Sequence, residues 1–232
     1  FFFQAEDGIR DYKVTGVQTC SSDLGTYVME NVLFKISFPA EFHAQTACEA
    51  AVTLHPWVKD RLQEIERIVI TTHESAIRII SKVGQLANAA DRDHCLQYMT
   101  AVPLAFGNLV AEQYEDEFHA VHPIIDQLRD KKVIVEDPRY SREYLEADKR
   151  SIANAVQVFF TDGSSTEQVA VEYPIGHRRR RVEGIPLLED KFKAYLATRF
   201  TGQRRAEIIA LCKDQARLEA IPVNRFVDLF VI

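Results

Sequence analysis

Residues 152–173 read IANAVQVFFTDGSSTEQVAVEY, and they decide the fold class because they form the clearest β-hairpin signal in the chain. Apolar and polar residues alternate in the first arm, which ends at Phe160, and again in the second arm from Glu167. Between the arms lies an Asp-Gly turn at Asp162 and Gly163, a pair that favours tight hairpin connections. The alternation predicts a hairpin with one buried face.

Further strands and amphipathic helices are predicted on both sides of the hairpin. β-Branched runs predict strands over residues 65–72 and 132–136, while helical periodicity covers residues 40–58 and 124–130. Amphipathic helices also fill the chain after residue 181. Together these patterns predict an α+β fold, in which a small β-sheet with its hairpin is flanked by helices.

Composition and charge are those of an ordinary globular protein. The chain has 232 residues, of which 47% are hydrophobic and 27% charged, and its net charge is −6. This charge does not favour a nucleic-acid partner, and no apolar run approaches the roughly 20 residues of a membrane span. The four cysteines lack Cys-x-x-Cys spacing, which predicts no metal or iron–sulfur site, and free thiols suit a reducing cytoplasm.

The first 24 residues differ from the rest. They show no sustained helical or strand periodicity and no signal-peptide pattern, and they resemble translated sequencing-adapter DNA. We therefore leave residues 1–24 out of fold reasoning, and with them Cys20. The natural sequence is expected to begin near Gly25 or Thr26, within a longer gene.

A basic stretch, YPIGHRRRR over residues 173–181, directly follows the hairpin. A run of four arginines is often a solvated loop, because like charges repel. Arginine also matches the geometry of carboxylates and phosphates, so the alternative is an anion site. On a strand-like segment successive side chains alternate, so at most two would face a cleft, either Arg178 with Arg180 or Arg179 with Arg181.

A second stretch with chemical potential is DRDHCLQY, residues 91–98. It is predicted to begin a helix, with an Asp as N-cap, that ends at Gly107, while Pro103 predicts a kink or an early end. His94 and Tyr98 would then lie on one helical face. Two interpretations stay open: an acid–base pair, or a capped helix with a buried Tyr hydroxyl.

His43 lies in the first turn of the helix predicted over residues 40–58. A helix N-terminus disfavours the imidazolium ion and favours a nearby anion. The ring is therefore either a satisfied core group or a polar group directed into a cleft.

Six motifs in the same order are similar to those of the MmgE/PrpD family, and in particular to its members that dehydrate 2-methylcitrate. The similarity extends from Val28 to Ile232. The motifs are KISFPAEFH (35–43), DRDHCLQY (91–98), EDP (136–138), RSIANA (150–155), VEYPIGHRRRR (171–181) and ARLEAIPVN (216–224).

The resemblance implies a large all-helical domain and a smaller α+β lid, with the active site in the cleft between them. It implies that this chain is the C-terminal half. Residues 25–59 would be the junction between the two domains, and residues 60–180 the lid. Residues 181–232 would be C-terminal helices that pack on the helical domain.

The resemblance also implies a reaction, the elimination of water from 2-methylcitrate to give 2-methyl-cis-aconitate in propionate breakdown. This type of enzyme is expected to use no iron–sulfur cluster and no other cofactor. Dehydration needs a base for the proton alpha to a carboxylate and an acid for the leaving hydroxyl. Cationic side chains would bind the three carboxylates. The general base is not assigned.

Several residues become site candidates. Tyr98 matches a family Tyr that faces the substrate, and His94 is the second catalytic candidate. Candidate substrate-binding residues are Arg92, His43, Lys35, His177, Arg178 and Arg180. A cytoplasmic homodimer is expected for the full-length protein. Two alternatives remain: a non-catalytic tricarboxylate-binding protein with the lid fold, or a decarboxylase or epimerase of the same family.

Overall fold

The computed structural model describes residues 34–232; residues 1–33, which include the predicted adapter-derived segment, lie outside the described part. The chain divides into two compact units, one that ends at Arg180 and one that begins at Arg181. A sheet covered by helices forms the first unit, and helices form the second. The predicted α+β class is confirmed. The assignment of the last helices to an all-helical domain stays a prediction.

The first unit contains α1 (Gln45–Val58), β1 (Ile65–Thr72), α2 (Glu74–Ile80), α3 (Ala89–Arg92), α4 (Leu96–Phe106), α5 (Asp116–Val121), α6 (Ile124–Asp130), β2 (Lys132–Glu136), α7 (Pro138–Leu145), β3 (Asn154–Phe160) and β4 (Val169–Val171). Single 3₁₀ turns cover Phe42–Ala44, Leu62–Glu64, Ala111–Tyr114 and Arg178–Arg180. The second unit contains α8 (Arg181–Ala197), α9 (Gly202–Cys212), α10 (Gln215–Ala220) and α11 (Val223–Asp228).

The four strands form one sheet in the order β2-β1-β3-β4. β3 and β4 pair antiparallel, which confirms the predicted hairpin, and β1 pairs parallel with β2 and antiparallel with β3. In register, Thr72 faces Glu136 and Thr71 faces Ala155. The carboxyl ends of β1 and β2 and the start of β3 therefore meet at one edge of the sheet.

Helices α1 and α4 pack closely because α1 presents small side chains. Its buried face and the turn before it carry Ala44, Ala47, Cys48, Ala50 and Ala51, all fully buried. Two α1 side chains donate to carbonyls of α4: the Cys48 thiol to Met99 at 3.2 Å, and His55 Nδ1 to Leu104 at 2.9 Å. Pro103 has no N–H for the Met99 carbonyl four residues earlier, and the Cys48 thiol occupies that acceptor instead.

Pro103 does not end α4, which continues to Phe106 and is closed by Gly107 at φ 77°. The predicted start of this helix is wrong. α3 is capped by Asn88 rather than by an Asp, and it ends before Cys95, whose extended backbone turns the chain into α4. His94 therefore lies in the break between two helices, and it does not share a helical face with Tyr98.

The prediction that the basic stretch is strand-like is wrong. A turn in which the His177 N–H donates to the Pro174 carbonyl at 2.8 Å leads into the 3₁₀ turn Arg178–Arg180, and α8 follows from Arg181. Side chains on a helical backbone do not alternate between two faces. The prediction that alternation pairs Arg178 with Arg180, or Arg179 with Arg181, is therefore wrong for this segment.

We expect Gly176→Ala to destabilise the first unit by about 1–3 kcal/mol, the usual cost of overpacking. The Gly176 carbonyl accepts the Phe34 N–H at 3.2 Å, and a Cβ on Gly176 would lie 1.5 Å from the Phe34 carbonyl oxygen. Urea unfolding measures the loss. Gly202→Ala is the control, since a Cβ there meets only the tip of Arg205, at 3.9 Å. An equal effect of the two substitutions would contradict the prediction.

Across residues 34–232 no helix combines the length and the apolar character that crossing a membrane requires.

Candidate active site

His43 is held by a carboxylate on one side and faces a phenol on the other. It lies in the 3₁₀ turn before α1, where Glu41 accepts both the His43 backbone N–H and its Nδ1, each at 2.8 Å. The other ring nitrogen, Nε2, lies 3.1 Å from the Tyr144 hydroxyl on α7. Because Nδ1 donates to Glu41, the neutral ring has its lone pair at Nε2, where it accepts the Tyr144 proton.

Glu41 keeps its charge in this arrangement. Burial alone would raise the pKa of the Glu41 carboxyl, but the hydrogen bonds and the charge of His43 outweigh it and lower that pKa. A carboxylate that fixes an imidazole in one orientation increases the basicity of the opposite nitrogen. Within the Glu41–His43–Tyr144 chain, Nε2 of His43 can therefore accept a proton, and the Tyr144 hydroxyl can donate one.

His73 lies against the same groups, directly after β1. Its ring stacks on Tyr144 with centroids 4.7 Å apart, and its centroid is 5.2 Å from that of His43. Nδ1 accepts the Ala76 N–H at 3.4 Å and caps α2. Burial first, and then the charge of His43, lower the pKa of His73 to about 4. The ring is thus neutral near pH 7, with its proton on Nε2.

Four buried polar atoms near this edge of the sheet have no hydrogen-bond partner among the described residues: Thr72 Oγ1, His73 Nε2, Ser151 Oγ and Asn154 Oδ1. Asn154 uses its amide nitrogen on the His43 carbonyl at 2.8 Å and on the Thr46 hydroxyl at 2.7 Å. Buried polar groups are nearly always paired, so several orphans in one region favour a polar ligand there. We call Glu41, His43, Thr72, His73, Tyr144 and Asn154 the sheet-edge cluster.

Tyr98 lies in a different environment. The side chain is fully buried, its hydroxyl donates to the Gln113 carbonyl at 2.6 Å, and its ring packs against Tyr114 and, edge-on, His119. Burial raises the pKa of Tyr98 to about 12, so the phenol is protonated. Tyr98 and the sheet-edge cluster thus have separate sets of contacts.

Arg92 reaches the neighbours of Tyr98. Its side chain is 2% exposed, its Nε donates to the Tyr114 carbonyl at 2.6 Å, and its guanidinium pairs with Asp116. Arg92 lines a cavity of about 300 Å³, which we call the arginine cavity, with Gln85, Leu86, Ala87, Asp116, His119, Asp126 and Arg129. The structure thereby brings Arg92 and Tyr98 to one region.

Two other candidates lie at the surface. The His94 side chain is 53% exposed and hydrogen bonds to Asp93 through Nδ1. Lys35 is exposed, with its ammonium 5.8 Å from the centre of the Phe42 ring, just before the turn that carries His43. Of the two, Lys35 is the nearer in sequence to the sheet-edge cluster.

The basic stretch makes mainly internal contacts. His177 is buried and stacks on Tyr173 at 4.5 Å. Arg178 and Arg179 both donate to the carbonyl of Asp148. Arg180 forms a two-pronged ion pair with Glu49 on α1, with both N···O distances 2.9 Å, and donates to the Tyr173 carbonyl at 2.7 Å. These contacts attach the stretch to α1 and to the segment after α7.

The sequence did not single out His73, Tyr144 or Asn154. His73 carried a usable signal, because it directly follows a strand, and ligands of open sheets bind at the carboxyl ends of parallel strands. Tyr144 had no such signal, since it lies in a polar stretch between the motifs at residues 136–138 and 150–155. Asn154 belonged to a motif, but the alternation of the hairpin accounted for it fully.

In residues 34–232 no group of three or more His, Cys, Asp or Glu side chains is arranged to hold a metal ion.

Comparisons with known proteins agree with one another. The family model described as MmgE/PrpD C-terminal domain matches residues 38–215. Over 211 residues, or 90% of this chain, the chain is 55% identical to a 2-methylcitrate dehydratase of Cupriavidus necator and to one of Salmonella typhimurium strain LT2. A mitochondrial 2-methylcitrate dehydratase of Yarrowia lipolytica is 50% identical over 210 residues. The matches cover 43%, 44% and 40% of those three proteins, so the chain spans under half of their length.

Proposed function

The chain belongs to the MmgE/PrpD family, and from this premise we propose that it supplies the C-terminal domain of a hydro-lyase that removes water from 2-methylcitrate. The relatives that carry this activity in their names are 55% identical to the chain over nine-tenths of its residues. The proposed product is 2-methyl-cis-aconitate. A tricarboxylate substrate, a full-length homodimer and a cytoplasmic location belong to the same proposal.

The sheet-edge cluster is the observation that carries the proposal. Elimination alpha to a carboxylate needs a base for the carbon-bound proton and an acid for the leaving hydroxyl. We assign the base to Nε2 of His43, which Glu41 orients at 2.8 Å. Tyr144, 3.1 Å from that nitrogen, would protonate the hydroxyl as it leaves as water and then recover a proton from the His43 imidazolium.

A neutral donor of the cluster and a nearby cation would bind the substrate. The Nε2–H of His73 is buried without a partner among the described residues, and it would donate to a carboxylate oxygen. Lys35 lies just before the turn of His43 and would add a positive charge. We keep His177, Arg178 and Arg180 as weaker candidates, because each already makes a contact within the chain. His177 Nδ1 accepts the Arg179 N–H, Arg178 donates to the Asp148 carbonyl, and Arg180 pairs with Glu49.

Tyr98, with Arg92 beside it, remains a second candidate acid, with His94 as its weaker partner. To reach a substrate, the Tyr98 hydroxyl would have to leave the Gln113 carbonyl. If Tyr98 rather than Tyr144 is the acid, Tyr98→Phe should lower turnover of the complete enzyme at least tenfold. Tyr114→Phe is the control, because it removes a buried hydroxyl without a partner among the described residues. A Tyr98→Phe enzyme that loses only stability would assign this hydroxyl a structural role.

A chimera tests the function directly. The matched 211 residues of the Salmonella typhimurium relative would be replaced by the matching part of this chain. We expect the chimera to convert 2-methylcitrate to 2-methyl-cis-aconitate, and the 232-residue chain alone to be inactive. Product analysis separates dehydration from decarboxylation and epimerisation. A folded chimera without dehydratase activity, or a chain active alone, would overturn the proposal.

A further inference from the structure

A second, smaller cavity lies beside α6 and has a strongly basic lining. Its volume is about 130 Å³, and we call it the lysine cavity; its lining consists of Lys82, Val83, Gly84, Gln97, Arg129, Asp130 and Lys132. Arg129 also lines the arginine cavity, whereas the members of the sheet-edge cluster line neither. Three cationic side chains and one carboxylate therefore face this space.

The donors of this cavity are only partly used. The Arg129 side chain is 7% exposed and bonds to Asp126 and, at 2.8 Å, to the Gly84 carbonyl. Its buried Nε has no hydrogen-bond partner among the described residues. Lys82 is 3.4 Å from Asp91, a distance that leaves the contact weak. The Lys132 ammonium donates to the Leu128 carbonyl at 3.2 Å.

The surroundings of Lys132 disfavour the protonated form of its amine. Burial lowers the pKa of its amine to about 7; the charge of Arg129 adds to that effect and Cys95 opposes it. The other charged groups that line the cavity with it are Lys82 and Asp130. A cation that is both desolvated and repelled is stabilised when an anion enters its site.

We propose that the lysine cavity binds a small oxyanion, a short-chain carboxylate or inorganic phosphate, between Lys82, Arg129 and Lys132. Its volume of about 130 Å³ far exceeds the roughly 10–15 Å³ that a single water needs. An ion the size of acetate or phosphate fits this space. Because no member of the sheet-edge cluster lines this cavity, the site is distinct from that of the proposed substrate, and it stands or falls independently of the dehydratase activity.

Titration calorimetry on the 232-residue chain tests the site, with acetate, inorganic phosphate and citrate as separate probes at constant ionic strength. We expect saturable binding of acetate or phosphate, and which of them binds identifies the class of anion. Lys132→Gln and Lys82→Gln should each weaken that binding at least tenfold. Lys59→Gln is the matched control, because Lys59 is exposed and does not line the cavity. Circular dichroism checks that each variant is folded.

The pH dependence gives a second readout. Binding should weaken as the pH rises from 6 to about 8.5, because the Lys132 amine of the free protein loses its proton near pH 7. Lys132→Gln should reduce that slope and Lys59→Gln should not. The proposal is overturned if neither small anion binds saturably, or if binding survives both Lys132→Gln and Lys82→Gln. Citrate binding as tight as that of the small anions would also overturn it.

Discussion

His43→Gln in the chimeric enzyme is expected to lower kcat for 2-methylcitrate dehydration by about 10²–10⁴, the range typical of a lost general base. Glutamine can still donate to Glu41, but it offers no basic nitrogen toward the position of Tyr144. The ring would be lost while the local hydrogen bond is largely kept. The measurement is steady-state formation of 2-methyl-cis-aconitate, with kcat and KM determined separately.

Two comparisons make the His43 result specific. Glu41→Gln should lower kcat less, by about tenfold, because it removes only the group that orients the ring. His122→Gln is the control, since His122 donates to the Phe118 carbonyl and is not a member of the sheet-edge cluster. If folded His43→Gln enzyme kept a kcat within threefold of the parent, His43 would not be the base.

Acid is expected to destabilise the first unit through His73. The unfolded chain protonates this ring below its ordinary pKa of 6.5, while the folded chain holds it neutral down to about pH 4. As the pH falls through that interval the unfolded state binds more protons, so the free energy of unfolding falls. At about 1.4 kcal/mol per pH unit, the loss by pH 4 is about 3 kcal/mol.

Urea unfolding of the 232-residue chain between pH 4.5 and 7.5 measures this slope. His73→Asn should flatten it, because Asn does not titrate but is a good helix N-cap and keeps the start of α2. His94→Asn replaces an exposed histidine and should leave the slope unchanged. An unchanged slope in His73→Asn would show that the acid sensitivity arises elsewhere.

Much of the secondary structure was predictable from local patterns. The strands at residues 65–72 and 132–136 and the helix at residues 124–130 have the predicted bounds, and the hairpin pairs as its alternation predicted. These elements are specified by side-chain periodicity, a property of neighbours in the chain. Where patterns were weaker the prediction was wrong, as in the break between α3 and α4 and in the helical course of the arginines.

The site was predictable only in part. His43 was singled out by its place at a helix start, and Glu41 stood in the same motif. Their partners come from far away: Tyr144 is 101 residues from His43, and Asn154 is 111. Such contacts depend on how β1, β3 and α7 meet at one edge of the sheet.

Periodicity and motifs suffice to predict the class of fold, the family resemblance and the residue types available for acid–base chemistry. The packing of the elements is needed to see which of those residues meet, that Tyr98 donates to a backbone carbonyl, and that Arg180 pairs with Glu49. Periodicity sets which face of an element is buried, but burial and charge at a site depend on packing between elements distant in sequence, and these set proton affinities such as that of His73.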